Sequence, residues 1–302
     1  MKIKNKNILI IGGTGFLGYH FAKKCVEKNF FVTSISIRKP KKERRLKSVN
    51  YVYFDISKKK FFNKIKKKKF DYVVNFGGHV DHLNKVKTYN SHFIGVKNLV
   101  NFFLKKNDLK KFIQIGSSAE YGKIQSPQKE SAKCLPKLIY GKSKFLATKF
   151  LLKLNKNKKF PVVILRLYQV YGPKQSFNRL IPIVINSSLK NKNFPCSSGS
   201  QKRDFLHVDD AIQAIMLTIT SEKVIGKIIN IGYGKSIEVK KVINYIVKII
   251  RMGKPEYGLI KLRKDEAKVI FPDISRAKNL IKWKPKIKFF DGLKRTINYY
   301  KS

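Results

Sequence analysis

The feature that most constrains this chain is an apolar run, Ile8-Leu9-Ile10-Ile11, that stops at a glycine-rich loop, Gly12-Gly13-Thr14-Gly15-Phe16-Leu17-Gly18. Consecutive apolar residues of this kind suit a strand covered on both faces, as in a parallel sheet. A first glycine permits the tight turn after the strand. A second lets the backbone approach a pyrophosphate, and a third lets the next helix pack closely on the sheet. The stretch Tyr19 to Lys28 is amphipathic, so the loop opens a helix whose first N–H groups face a ligand. Strand, loop and helix in this order predict a dinucleotide site formed by Gly12, Gly15, Phe16, Leu17 and Gly18.

The alternation continues downstream. Strand signals fall at Phe31 to Ile37, Tyr51 to Phe54, Asp71 to Phe76, Phe112 to Ile115 and Pro161 to Leu167. Helical spacing of apolar residues covers Thr88 to Lys106 and Tyr140 to Asn155. This pattern predicts an α/β fold, a doubly wound parallel sheet of the Rossmann type. After Gly172-Pro173 the alternation loosens, with helices expected at Arg179 to Lys190, Asp209 to Thr220, Val239 to Arg251 and Asp273 to Lys282. We therefore expect residues 1–172 to form the dinucleotide-binding domain and residues 173–302 a smaller substrate lobe. A segment near 203–232, with a buried strand at Lys227 to Ile231, is expected to return to the sheet.

Hydrophobic residues make up 43% of the chain, enough for a packed core. No apolar run approaches the roughly 18 residues a membrane helix needs, so no membrane partner is expected. Cys25, Cys134 and Cys196 share no disulfide or metal spacing, which suits a reducing cytoplasm. The net charge of +49 raises the question of a nucleic-acid partner, and Lys58 to Phe70 does mix lysines with Phe61, Phe62 and Phe70. Against it, the lysines are spread over the whole chain and arginine, the better phosphate reader, is scarce. Nucleic acid is not the expected partner; a general field attracting anionic small molecules is.

Two further patterns carry chemistry. NAD binders usually place an acid about 20 residues past the glycine loop, on the ribose 2′-hydroxyl. Here the stretch is Ser36-Ile37-Arg38-Lys39. A hydroxyl followed by Arg38 suits a 2′-phosphate, so NADP is preferred over NAD. The second pattern is Tyr140-Gly141-Lys142-Ser143-Lys144. Residues four apart share a helix face, which sets a phenol beside an ammonium. A nearby cation lowers a phenol's pKa, and Tyr140 is then expected to exchange protons with a substrate hydroxyl or carbonyl.

With these motifs in view, the chain resembles the extended short-chain dehydrogenase/reductases of the NAD-dependent epimerase/dehydratase family, over nearly its whole length. The resemblance rests on Gly12-x-x-Gly15-x-x-Gly18, Asp55-Ile56, Gly116-Ser117-Ser118-Ala119-Glu120-Tyr121-Gly122 and Tyr140-x-x-x-Lys144. It extends through Arg166-Leu167-Tyr168-Gln169-Val170-Tyr171-Gly172-Pro173 and Arg203-Asp204-Phe205-Leu206-His207-Val208-Asp209-Asp210. It implies a catalytic set of Ser117, Tyr140 and Lys144. Ser117 would hold the reacting oxygen, and Lys144 the nicotinamide ribose. It also implies that Asp55 and Ile56 meet the adenine and that Asn75 to Gly78, Asn75 and Gly77 included, line the cofactor. Arg203 and Arg263 match positions that grip a nucleotide-sugar diphosphate, with Ser118 and Gln169 nearby. A nucleotide-diphosphate sugar is the implied substrate, a 4-keto-sugar reductase or 4-epimerase the implied activity, and a homodimer through Thr88–Lys106 and Tyr140–Asn155 the implied assembly.

The departures also inform. Family dehydratases carry Asp-Glu directly after the Ser or Thr, whereas this chain has Ser118 and Ala119. Neither side chain can serve as a carboxylate acid or base. The family's Asn before the glycine of the next helix is His92, and a frequent Asn is Gln169. His79-Val80-Asp81-His82 lacks a third ligand at metal spacing, so no metal is expected. His207 is expected to be packed and hydrogen-bonded, with Asp209 and Asp210 as helix N-cap and first-turn acids. The competing functional class is a non-catalytic protein that senses dinucleotide or binds RNA.

Overall fold

The apolar run at the N-terminus forms strand β1 (Asn7–Ile11), and Ile8 to Ile11 are fully buried. The computed structural model describes residues 5–79, 83–106, 108–262 and 267–302. After β1 come β2 (Phe31–Ser36), β3 (Val49–Tyr53), β4 (Tyr72–Asn75), β5 (Lys111–Ser117), β6 (Val162–Leu167) and the short β7 (Gln169–Tyr171). Further along the chain come β8 (Asn193–Pro195), β9 (Lys202–Arg203), β10 (Phe205–His207), β11 (Ile228–Ile231), β12 (Ile237–Glu238), β13 (Lys254–Glu256) and β14 (Val269–Ile270). Among the described residues, seven of these strands form one parallel sheet in the order β11-β6-β5-β4-β1-β2-β3. This is the doubly wound sheet the alternation predicts. The strand at its far edge, β11, arrives after the chain has left through the lobe and pairs with β6 from Ile228 opposite Ile164 onward.

Side chains on successive strand positions point to opposite faces, and the core divides accordingly. Ile8 and Ile10 of β1 pack with Phe21, Ala22 and Cys25 of helix α1 (Phe16–Glu27) and with helix α6 (Val208–Thr220). Leu9 and Ile11 pack on the other face with helix α3 (Gly95–Phe103) and helix α4 (Ile139–Lys158). A third cluster lies in the lobe between helices α5 (Leu180–Leu189), α7 (Val239–Ile250) and α9 (Phe289–Lys301). Helix α2 (Lys85–Tyr89) precedes α3, and α8 (Ser275–Ile281) packs near β11.

Two expectations need correction. The single helix read over Thr88 to Lys106 is broken: α2 passes into a turn of π-helix at Asn90–Ile94 before α3 begins at Gly95. The N-cap of α6 is His207, whose Nδ1 accepts the Asp209 N–H at 3.3 Å, so Asp209 and Asp210 are both first-turn residues. The aromatics in Lys58 to Phe70 are no stacking platform. Phe62 and Phe70 are buried in the core, and Phe61 is partly covered beneath Lys60 and Lys64. Among the described residues no helix is long and apolar enough to cross a membrane.

Candidate active site

The site lies at the C-terminal ends of β1, β2, β4 and β5, where ligands bind in open parallel sheets. Gly12 turns the chain out of β1 with φ +78°, and its N–H donates to the Ile35 carbonyl at 2.7 Å. A Cβ on Gly18 would collide with the Gly12 carbonyl, so this position needs glycine for α1 to sit against the loop. A Cβ on Gly15 would meet only the Gly12 oxygen, at 3.2 Å, which leaves its outer side open. Gly15 is also the N-cap of α1, whose first N–H groups have no side-chain cap and no acid in the first turn. Open backbone donors at the positive end of a helix dipole complement a pyrophosphate. The cradle therefore fits a dinucleotide.

Around the cradle, Phe16 and Leu17 are partly buried against the core. Ser36 ends β2, buried, and its Oγ accepts the Thr14 N–H at 3.3 Å; Arg38 is exposed beyond it. Asp55 caps its own turn by accepting the Ser57 N–H at 2.8 Å. Ile56 fills the space that Gly77 and Gly95 leave open. Asn75 is fully buried. Its amide donates to Gln114 Oε1 at 2.9 Å while its oxygen accepts the Gly77 N–H at 2.9 Å, so it shapes the turn from within.

Ser117, Tyr140 and Lys144 come together. Ser117 closes β5 and caps the short turn Ser118–Glu120. Tyr140 is in the first turn of α4, with Lys144 and Thr148 following at four-residue spacing on the same face. The Ser117 hydroxyl lies close to the Tyr140 phenol, near enough to act on its proton, and its Oγ accepts the Ala119 N–H at 3.2 Å. Lys144 is buried, and its Nζ donates to the Ile115 carbonyl at 2.7 Å. The expected lowering of the phenol by Lys144 is not found. Burial pushes Tyr140 above its ordinary value, with the nearby Ser117 hydroxyl acting the other way, the Glu120 carboxylate adding to the rise and Arg179 opposing it. Burial also pulls the Lys144 ammonium down to about 8, partly offset by the Glu120 carboxylate.

His92 is buried with its ring edge-on to Tyr140, centroids 5.0 Å apart, and its Nε2 is 3.1 Å from the His79 carbonyl. A Cβ on Gly78 would strike that ring. Of the other residues singled out by the resemblance, Ser118 is partly exposed and Gln169 exposed. Arg203 is buried, with Nη1 donating to the Lys202 carbonyl at 2.8 Å and the Lys268 carbonyl at 3.4 Å. Arg263 lies outside the described residues, as do Val80, Asp81 and His82 of the histidine-rich segment. Among the described residues no group of His, Cys, Asp or Glu could hold a metal ion. Two neighbours of Tyr140 escape a reading of motifs alone. Arg179 precedes α5, where its sequence signal marks only a helix start. Thr148 is two turns beyond Tyr140, and helical spacing does put it on the same face of α4 as Tyr140 and Lys144.

With this geometry in place, comparison with known proteins is informative. The sequence profile of the NAD dependent epimerase/dehydratase family matches residues 8–232. The chain belongs to this family. It is an enzyme of the extended short-chain dehydrogenase/reductase type. A Methanocaldococcus jannaschii protein, provisionally named a UDP-glucose 4-epimerase, is 29% identical, with 98% of each chain covered. Mouse dTDP-D-glucose 4,6-dehydratase is 27% identical over 98% of this chain and 89% of its own. Among solved structures, the Thermotoga maritima UDP-glucose 4-epimerase superposes with a TM-score of 0.92 at 23% identity, covering 98% of both chains. The UDP-N-acetylglucosamine 4-epimerase of Methanobrevibacter ruminantium superposes at 0.88 with 25% identity, covering 99% of both.

Proposed function

We propose that this family member transfers hydride at C4 of a nucleotide-diphosphate sugar, and that it does so chiefly as a 4-keto-sugar reductase using NADPH. The observation that carries the reading is the convergence of Ser117, Tyr140 and Lys144 at the sheet end that also holds the glycine cradle. Bound nicotinamide supplies the hydride. The Ser117 hydroxyl positions the reacting oxygen, and Tyr140 exchanges its proton. Burial keeps that phenol protonated at neutral pH, which suits proton donation to a carbonyl oxygen. Lys144, freed from the Ile115 carbonyl, holds the nicotinamide ribose. Gly12, Gly15, Phe16, Leu17, Gly18, Asp55, Ile56, Asn75 and Gly77 bind the rest of the cofactor. β2 ends in Ser36 rather than an acid, with Arg38 exposed beyond it, which favours the 2′-phosphate of NADP.

We assign residues 1–172 to cofactor binding and residues 173–302 mainly to the sugar nucleotide. Ser118, Gln169, Arg203 and Arg263 are the contacts. Arginine suits a diphosphate through its planar donor fork. The mouse relative's dehydratase activity does not carry over to this chain. Positions 118 and 119 hold serine and alanine, and the neighbouring Glu120 is fully buried and turned inward. The second reading, a 4-epimerase, is favoured by the names of the Methanocaldococcus and Methanobrevibacter relatives. Three free cysteines suit a cytoplasmic setting.

The test is a screen of UDP-, GDP-, CDP- and dTDP-sugars, with NADPH and NADH affinities measured alongside. Y140F is expected to lower kcat by about 10²- to 10⁴-fold, with cofactor affinity retained. Wild-type turnover in that variant overturns the catalytic assignment. Tighter binding of NADH, or NAD copurifying one per chain, moves the conclusion to the epimerase.

A further inference from the structure

Glu120 lies directly behind the catalytic trio and is fully buried. Its Oε1 accepts the Ser117 backbone N–H at 2.9 Å. Its Oε2 accepts the Thr148 hydroxyl at 2.8 Å and Arg166 Nε at 3.0 Å. One carboxylate thus ties the end of β5, the catalytic face of α4 and the middle of β6 together. The surroundings leave room for it: a Cβ on Gly116 would come within 2.5 Å of Oε1. Arg166 is braced from behind. Its guanidinium lies 4.4 Å from the Tyr121 ring centre, and the Tyr121 hydroxyl donates to Asn230 Oδ1 of β11 at 2.8 Å.

We infer that Glu120 is a positioning residue for the reaction, a clamp that fixes Ser117 against the Tyr140–Lys144 face of α4 and supplies the counter-charge to Lys144. The inference rests on the reading of Ser117, Tyr140 and Lys144 as the catalytic set. Thr148 and Lys144 are one helical turn apart, so anchoring Thr148 sets the height of both catalytic side chains above Ser117. Among the described residues, the charged and titratable groups around the cluster are Arg166 from β6, Tyr121 stacked on it with Glu130 beyond, Lys144 and Tyr140 on α4, Cys134 from the preceding loop and Arg179 ahead of α5. His92 packs on Tyr140 from the π turn. The carboxylate offsets the burial that drives the Lys144 proton off.

The test compares E120Q, E120D and Y140F in the full chain. E120Q is expected to lower kcat by about 10²-fold with KM for the sugar nucleotide little changed. The alkaline limb of its kcat profile is expected to move to lower pH. Cofactor affinity, measured without sugar, should weaken over the same lower range. E120D keeps the charge on a shorter arm and should restore the limb but not kcat. Folded E120Q with wild-type kcat and an unmoved limb overturns the clamp, even if its melting temperature falls, because a purely structural ion pair behaves that way. If E120Q does not fold because Arg166 is left as a lone buried charge, E120Q/R166Q is read by the same criteria. Full turnover in Y140F instead overturns the catalytic set on which the clamp depends.

Discussion

Asp204 sits between β9 and β10, almost fully buried, and accepts the Tyr233 N–H at 2.8 Å and the Gly234 N–H at 2.7 Å. It thereby fixes the loop leaving β11. Burial pushes its carboxyl up to about 7, against the pull of these amides. The folded chain therefore holds this proton to higher pH than the unfolded chain, which releases it near about 4. Between those values the folded state binds more protons, so this group's contribution to stability falls as pH rises. The urea midpoint of wild type relative to D204N is expected to decline from about pH 4 to about pH 7. A flat difference across that range would show that the amides, not burial, set the proton affinity. At this scale part of the site was legible: four-residue spacing put Tyr140 and Lys144 on one helix face, and the family resemblance added Ser117, which the fold brings beside them. The amine's target was not. Lys144 faces the Ile115 carbonyl 29 positions away in sequence, and only the packing of α4 on β5 makes that contact.

Lys111 opens β5, and its buried Nζ donates to the carbonyls of Thr218, Ile219 and Ser221 at 3.0, 2.8 and 2.6 Å. These carbonyls lie at the end of α6, where partners within the helix run out. A strand residue thus caps a helix from the opposite layer. K111M leaves those carbonyls buried without a donor and is expected to cost about 1–3 kcal/mol, read as a lower urea midpoint. Hydrogen exchange should quicken in the last turn of α6 and little elsewhere. The seven strands of the main sheet were legible because continuous apolar and β-branched runs are a local property, and most helices because period 3.6 is another. The π turn at Asn90–Ile94 was not, since one inserted residue leaves the apolar spacing nearly intact while rotating the downstream helix α3. Helix α9 also escaped, its short apolar stripe diluted by lysine and tyrosine. The Glu120–Arg166 pair spans 46 positions and arises only from the pairing of β5 with β6.

The whole molecule carries a net charge of +49, and any assembly of two copies works against that charge. We propose that two chains pair through α2, α3 and α4, where Val86 is 69% and Leu146 39% exposed and Phe93 packs on Phe150. Added salt screens the repulsion while leaving apolar burial in place. Sedimentation should therefore show more dimer at about 0.5 M salt than at about 0.02 M. V86D/L146D should remain monomeric at both. A wild-type monomer throughout removes the proposed pairing.

The late arrival of β11 beside β6 has a bearing on how such an enzyme can change its substrate. A chain cut at residue 172 would retain the glycine cradle with Ser117, Tyr140 and Lys144 but expose a bare, apolar sheet edge, which invites aggregation. It would also lose Asn230, which holds the Tyr121 hydroxyl behind Arg166. The lobe is therefore not a cassette that can be swapped at one junction. It is an excursion with two fixed ends, and any change made inside it has to preserve its return to the sheet.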